Sequence, residues 1–340
     1  MSKNGETVAV FEREFASYVG ARYGVALCNG TATLHTALVA LGVKPGDRVA
    51  VPPLTMSATT IAVLHAGAVP VFCDVDPKTW LMADRGTATE REVANANAWI
   101  PVSLFGLHQP WKGLLTIDDA AQTLRPHPGC GFTSYSFQAS KILALGEGGM
   151  LVTNDEALAT RAREFSSLGY RMRADQPRID PAVIKSPTFE RHHSVGWNYR
   201  MNDLTAAEGL KQLQRAPALL NERFQSAIHY AFAIAGCPWI TPQHVPENSL
   251  HDWWAFPIAC GTPQRAVALQ AKMAELGAEI PYGCWALTFS EPAFKHLDPG
   301  PDACPVARDL QPRILAFQTN NLASAERNAT ALRRVIQEMD

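Results

Sequence analysis

The sequence predicts an α/β fold: a large domain with a mixed, mostly parallel sheet between helices, followed by a smaller α+β C-terminal domain. Three observations predict it. Short apolar runs alternate with helical-period segments from the N-terminus to about residue 168. Gly and Pro turn-formers separate those runs. After a long helical stretch the pattern changes to mixed strands and helices over about a hundred residues, the size of a separate domain. At 340 residues the chain suits about two domains, placed at 1–215 and 216–340, the second including the connector helix.

Composition narrows the function. Hydrophobic residues make up 47% and charged residues 18% of the chain, a globular balance. Net charge is -2 and the pI is near 6.6, which predicts neither nucleic acid nor a membrane surface as partner. No apolar run reaches spanning length, and the opening MSKNGETVAVFEREF lacks a signal-peptide core. The seven cysteines are scattered without a CxxC pair, which points to reduced thiols in a cytoplasmic protein. His192 and His193 are adjacent, poor spacing for one metal ion, so no metal site is expected.

The elements follow in order. Val8 to Tyr18 is a helix by spacing, closed at Gly20. Gly24 to Cys28 is a short buried strand, then Asn29-Gly30-Thr31-Ala32-Thr33 leads into the apolar helix Leu34 to Leu41. A helix start with free N–H groups and a hydroxyl suits an anion; taken alone, it reads more simply as a plain N-cap. Arg48 to Val51 and Val69 to Cys73 are strands flanking a helix from Met56 to Ala66. Asn97 to Leu104 is mainly strand, Gly106 to Trp111 a loop, and Met150 to Thr153 a strand before the helix Glu156 to Leu168. Residues 169 to 202 break the pattern and read as a functional loop or an interface. Helices are expected at Asp203 to Leu213, Ala216 to Ala235, Pro263 to Leu276 and Ala325 to Met339, and strands at His251 to Cys260 and Glu279 to Tyr282. Trp253, Trp254 and Trp285 read as C-terminal core.

The stretch that carries chemistry is IDDAAQTLRPHPGCGFTSYSFQASKILALGEGG, Ile117 to Gly149. Two buried strands deliver Asp118-Asp119 and Ser140-Lys141 at or near their ends. Ligands of open α/β sheets gather there. An acid and a lysine facing one bound molecule suit pyridoxal 5'-phosphate (PLP), which needs an amine for a Schiff base and a carboxylate at its ring nitrogen. Singly, each residue reads as an ordinary polar side chain.

Several motifs together resemble the DegT/StrS family of PLP-dependent sugar aminotransferases, of the fold-type I (aspartate-aminotransferase-like) architecture. They are FEREFASYVGARYGVALCNGTATLHTALVALGVKPGDRVAVPPLTMSAT, GAVPVFCDVDPKTW, DDAAQ, SFQASK, GEGGMLVTND and GWNYRMNDLTAAEGLKQL. They cover most of residues 11 to 215 in family order, and the similarity thins after about residue 250.

The resemblance implies that Lys141 holds PLP as an aldimine and shuttles the proton, and that Asp119 pairs with the ring nitrogen. It implies that Gln122 meets the phenolic side of the ring and that Ser136 and Gly30-Thr31-Ala32 bind phosphate. Asn198 is implied to reach the neighbouring subunit's phosphate, making a homodimer with shared active sites. The implied reaction moves an amino group from glutamate or glutamine to a keto-sugar, nucleotide-linked. Met56 follows Thr55 where the family usually carries an aromatic residue on the cofactor ring. The spans from Asp119 to Lys141 and from Thr79 to Asn97 look shorter than in the family, and the family's N-terminal arm is not expected. His108, Gln109, Trp197, Tyr199 and Arg200 sit where they could reach substrate or simply pack.

Three other readings compete. A PLP-dependent sugar dehydratase would carry histidine in place of Lys141. A non-catalytic PLP-binding homologue would have lost some of these residues. A dinucleotide-binding dehydrogenase wants GxGxxG after the first strand, and CNGTAT is not that.

Overall fold

The computed structural model describes residues 6–83, 95–108, 111, 113–125, 129–174 and 185–339. Helix α1 (Glu6–Tyr18) precedes strand β1 (Tyr23–Leu27), which leads through Asn29 into α2 (Gly30–Leu41). Asn29 is extended, and its side chain accepts the Ala32 N–H, so the helix starts four residues earlier than Leu34. Gly42, at φ 88°, closes it in the left-handed region that favours glycine.

Strands β2 (Arg48–Val51), β3 (Val69–Phe72), β4 (Ala98–Trp99), β5 (Gly113–Asp119), β6 (Cys130–Ser136) and β7 (Gly149–Thr153) complete a seven-stranded sheet in the order β1-β7-β6-β5-β4-β2-β3. The pairs β5–β6, β4–β5, β2–β4 and β2–β3 are parallel. Strand β7 runs antiparallel to both β1 and β6. The sheet is therefore mixed and mostly parallel, and β1, β5 and β6 end on the same edge.

Helices cover both faces. On one, α2 and α3 (Ala58–His65) pack Leu34, Leu38 and Ala62 against Val25, Ile117 and Leu151. On the other, Phe11 and Phe15 of α1 meet Tyr135, Phe137 and Met150. Helix α4 (Glu156–Ser166) returns along the first face.

A single helix α5, Asp203–Ile234, stands where two were expected. Pro217 lies inside it and removes one backbone N–H, yet Leu213 and Ala216 are buried on one side of that point and Ala227 and Tyr230 on the other. Burial on both sides of the proline outweighs its local cost. The helix thus spans two cores, packing on the large sheet at its start and on a second cluster near its end. That cluster fills an antiparallel sheet of β8 (Ile240–Pro242), β9 (Ala255–Cys260), β10 (Tyr282–Gly283) and β11 (Ile314–Gln318), in the order β10-β11-β9-β8. Helices α6 (Pro263–Glu275) and α8 (Leu322–Met339) cover it, and the short α7 (Pro305–Leu310) packs with the larger core.

Other expectations need correction. Of the expected Asn97–Leu104 strand, Ala98–Trp99 forms a ladder and Val102 a single bridge to Asp119, with Pro101, which lacks an N–H, between them; Leu104–Gly106 is a 3₁₀ turn. Strand β5 is not buried throughout: Leu114 and Leu115 are 71% and 52% exposed, beside a register shift between Gly113 and Ile117. Strand β9 begins at Ala255, because Trp253 turns the chain with φ 50°. The short strand expected from Glu279 to Tyr282 lies at Tyr282–Gly283.

Candidate active site

The carboxyl edge of the large sheet opens into a cavity of about 820 Å³. Asp119, at the end of β5, and Lys141, in the loop after β6, both line it. Gly30, Thr31, Met56, Gln122 and Ser136 line it as well.

Asp119 is 5% exposed. Its Oδ2 accepts the Thr59 hydroxyl at 2.8 Å and its Oδ1 accepts the Ala121 N–H at 3.2 Å. Burial pushes its pKa up, while those two donors and the nearby Lys141 charge pull the other way. Burial draws the Lys141 amine down from the usual lysine range, and Asp119 opposes that. A buried acid wanting a cation thus shares a cavity with an amine biased toward its neutral form.

Gln122 Oε1 accepts the Phe105 N–H at 2.5 Å, so the side-chain amide is held with its NH₂ group left to donate. The start of α2 sits against β6 so closely that a Cβ at Gly30 would come within 2.8 Å of Ser136 Cβ. Only glycine permits that approach, and it sets the Thr31 and Ser136 hydroxyls beside the first turn of a helix, where N–H groups face an anion. The donor set fits PLP: hydroxyls and a helix N-terminus for a phosphate dianion, a carboxylate for a ring nitrogen, and an amine for an aldehyde.

Two expected residues stand apart. Ala32 is buried off the cavity and its N–H is spent on Asn29 Oδ1 at 2.8 Å, because Asn29 caps the helix. Asn198 is exposed, on a segment bridged to Ser167. Trp197, Tyr199 and His108 do not line the cavity either; Trp197 stacks on Tyr199, whose hydroxyl meets His35 Nδ1 at 3.1 Å. Arg200 forms a bridge with Leu27, and Gln109 lies outside the described residues.

Sequence reasoning missed Thr59, Arg223, Trp254 and Trp285. The two tryptophans belong to the cavity wall rather than wholly to a core, with near-parallel rings 6.1 Å apart. Arg223, on α5, lines the same cavity and donates from Nη1 to the Trp254 carbonyl at 2.9 Å. No local spacing marks them, since they reach the site from beyond the large sheet. For Thr59 one signal existed: a hydroxyl in the first turn of a helix that leaves the sheet's carboxyl edge.

A helix-covered, mostly parallel sheet whose carboxyl edge brings a lysine and a carboxylate to one cavity defines a PLP-dependent transferase of fold type I. Comparison with known families agrees. The DegT/DnrJ/EryC1/StrS aminotransferase family matches residues 1–338, and the chain belongs to it. It is 34% identical over 268 residues to the spore coat polysaccharide biosynthesis protein SpsC of Bacillus subtilis, covering 74% of this chain and 68% of that one. It is also 34% identical over 281 residues to the GDP-perosamine synthase of Caulobacter vibrioides, covering 77% and 71%. Among solved structures, NtdA of Bacillus subtilis with bound cofactor PMP superposes with a TM-score of 0.80 at 24% identity, covering 98% of this chain and 78% of that one.

Proposed function

We propose that this protein uses PLP to move an amino group from glutamate or glutamine to a nucleotide-linked keto-sugar, working in the cytoplasm as a homodimer with shared active sites. The observation that carries the reading is the convergence of Asp119 and Lys141 on one cavity beside the Gly30–Ser136 cradle. The names of its relatives, a GDP-perosamine synthase and a polysaccharide biosynthesis protein, support the sugar. Among the described residues no helix is long and apolar enough to cross a membrane.

Thr31, Ser136 and the first turn of α2 hold the phosphate, and Gln122 donates to the phenolic oxygen. Met56, 46% exposed at the cavity's rim, offers a polarizable sulfur to the ring face. Asp119 keeps a proton on the ring nitrogen; a charge-assisted pair out of water is stronger than a neutral one. Bound PLP supplies an aldehyde that exchanges amines and a cationic ring that takes up the electron pair left when a donor's Cα loses its proton. Lys141 Nζ, freed as a neutral amine, takes that proton and later gives it up again, general base then general acid in one group.

Asn198 reaches the site of a second copy, which accounts for its exposure in one chain. Residues 1–215 and 216–340 serve as the large and small domains, with α5 shared between them.

The test is spectroscopic. Purified protein loaded with PLP is expected to show a visible absorption band that glutamate or glutamine bleaches and a suitable keto-sugar nucleotide restores. Absence of any band after PLP is added would end the reading.

A further inference from the structure

The segment His251–Trp254 straps the small sheet to the active-site edge. The Asp252 carboxylate accepts the Thr123 hydroxyl at 2.7 Å, the Leu124 N–H at 2.8 Å and Arg125 Nε at 2.7 Å. Its own N–H donates to the Gly106 carbonyl at 2.9 Å. Gly106 is close enough that a Cβ there would lie 2.8 Å from the Trp254 nitrogen. Arg223 and Thr319 hold the Trp254 carbonyl from the other side, at 2.9 and 3.1 Å. The strap is thus fixed by the loop after Asp119, by the long helix and by the end of β11.

From that anchored position the Trp254 side chain enters the cavity. Its indole N–H donates to the Ser140 carbonyl at 2.8 Å, the peptide group immediately before Lys141. Its ring lies 4.9 Å from Lys141 Nζ. The loop's other ties are local: Ser140 and Lys141 donate their N–H groups to Gln138, each at 2.8 Å. Among the described residues Trp254 supplies the loop's side-chain tie from outside the large sheet.

We propose that Trp254 is a positioning residue for Lys141, holding the lysine's backbone through the Ser140 carbonyl and giving its amine an aromatic face to rest on. This rests on the reading of Lys141 as the proton carrier. An ammonium is attracted to an aromatic face, so the protonated amine stays over the ring instead of turning out to water. The indole N–H fixes where the lysine's stem begins. Proton transfer depends steeply on such placement, and binding of cofactor or donor does not require it.

Trp254→Phe keeps a ring and removes the N–H donor. In PLP-loaded enzyme, the single-turnover rate of band bleaching at saturating glutamate or glutamine should fall by about tenfold or more. The amino-acid concentration giving half that rate and the affinity for PLP should stay near wild type. The primary isotope effect with α-deuterated donor should rise, since proton transfer alone is slowed. Amide exchange in the loaded enzyme should quicken by about tenfold at Ser140 and Lys141 while strand interiors stay protected. Should the phenylalanine variant fold poorly, benzothienylalanine at position 254 keeps the indole's shape without its N–H and gives the same readouts. Wild-type rate and isotope effect in either variant, or a loss that follows weakened PLP binding alone, would overturn the role of Trp254. A wild-type protein with no visible band would instead overturn the underlying reading of Lys141, and this one with it.

Discussion

The Thr59 hydroxyl donates to Asp119 Oδ2 at 2.8 Å, joining the helix after β2 to the end of β5 inside the cavity. Removing it has a defined sign. The bond favours the ionised carboxylate, whose pKa burial already pushes up, so Thr59→Val raises that pKa further. A smaller fraction of Asp119 is then ionised at a given pH. The acidic limb of the activity profile should move to higher pH, with lost transition-state stabilisation of about 1.5–3 kcal/mol below it, as for a hydrogen bond to a charged group. The check is kcat/KM against pH for both proteins; coincident acidic limbs would mean the bond does not tune Asp119.

The shared-site reading makes a separate prediction about assembly. Lys141→Ala should abolish transamination, and Asn198→Ala should weaken cofactor retention. If each cavity combines Lys141 of one chain with Asn198 of another, reassociating the two mutants yields some cavities with both residues intact. Activity of the mixture should exceed that of either mutant alone. No recovery in chains shown to have exchanged would refute the sharing.

How much was legible beforehand can be judged from particular residues. Asp119, Ser136 and Gly30 lie at strand ends and a helix start, and Lys141 in the loop just beyond β6, where local pattern and motif single them out, and the structure brings them to one cavity. At Ala32 the Asn29 cap takes the backbone N–H, a contest decided by local geometry that no motif records. Trp254 and Arg223 were not legible, since their place follows from how the small sheet and α5 meet the large one. The break expected between Leu213 and Ala216 is absent, because the faces buried on both sides of Pro217 hold one helix together, which local sequence does not record.

His251 should make the fold acid-sensitive. Its ring is partly buried, stacked 3.8 Å from Trp253, and its Nδ1 accepts the Trp253 N–H at 2.9 Å, which requires the neutral form. Burial lowers its pKa to about 3 from 6.5. The unfolded chain therefore binds a proton between those values that the folded chain refuses. Its contribution is fully present above about pH 6.5 and is lost as pH falls toward 3, by roughly 1.4 kcal/mol per unit within that window. His35, lowered to about 4, adds to the same slope. In denaturant titrations across pH 4–7, His251→Asn should be less stable at neutral pH yet show a shallower loss on acidification. An unchanged slope would remove His251 from the account.

Met56 tests how much the ring face matters. It lines the cavity with its Sδ accepting the Ala58 N–H at 3.0 Å. Met56→Phe exchanges a flexible thioether for a flat ring, so PLP affinity should hold or tighten, measured by equilibrium titration of the visible band. A large loss of affinity would show that the side chain does not face the cofactor.

Gly30 gives the sharpest steric test of the cradle. An added methyl group would sit 2.8 Å from Ser136 Cβ and 3.0 Å from its Oγ, and the first of these is too short for two carbons to occupy. Helix α2 must then move away from β6, or Ser136 must turn aside; either spreads the Thr31 and Ser136 hydroxyls. Gly30→Ala should therefore weaken PLP binding by about ten- to a hundredfold, about 1.4–2.7 kcal/mol. Overpacking itself typically costs a protein about 1–3 kcal/mol, so the affinity of folded variant has to be measured separately from its melting temperature. Ser136→Gly, which makes room for the methyl group, should relieve the clash but not restore the lost hydroxyl. The double mutant should thus regain stability while its PLP affinity stays low. Equal recovery of both would show that the cradle binds through the backbone alone, and recovery of neither would mean that the helix start is held elsewhere.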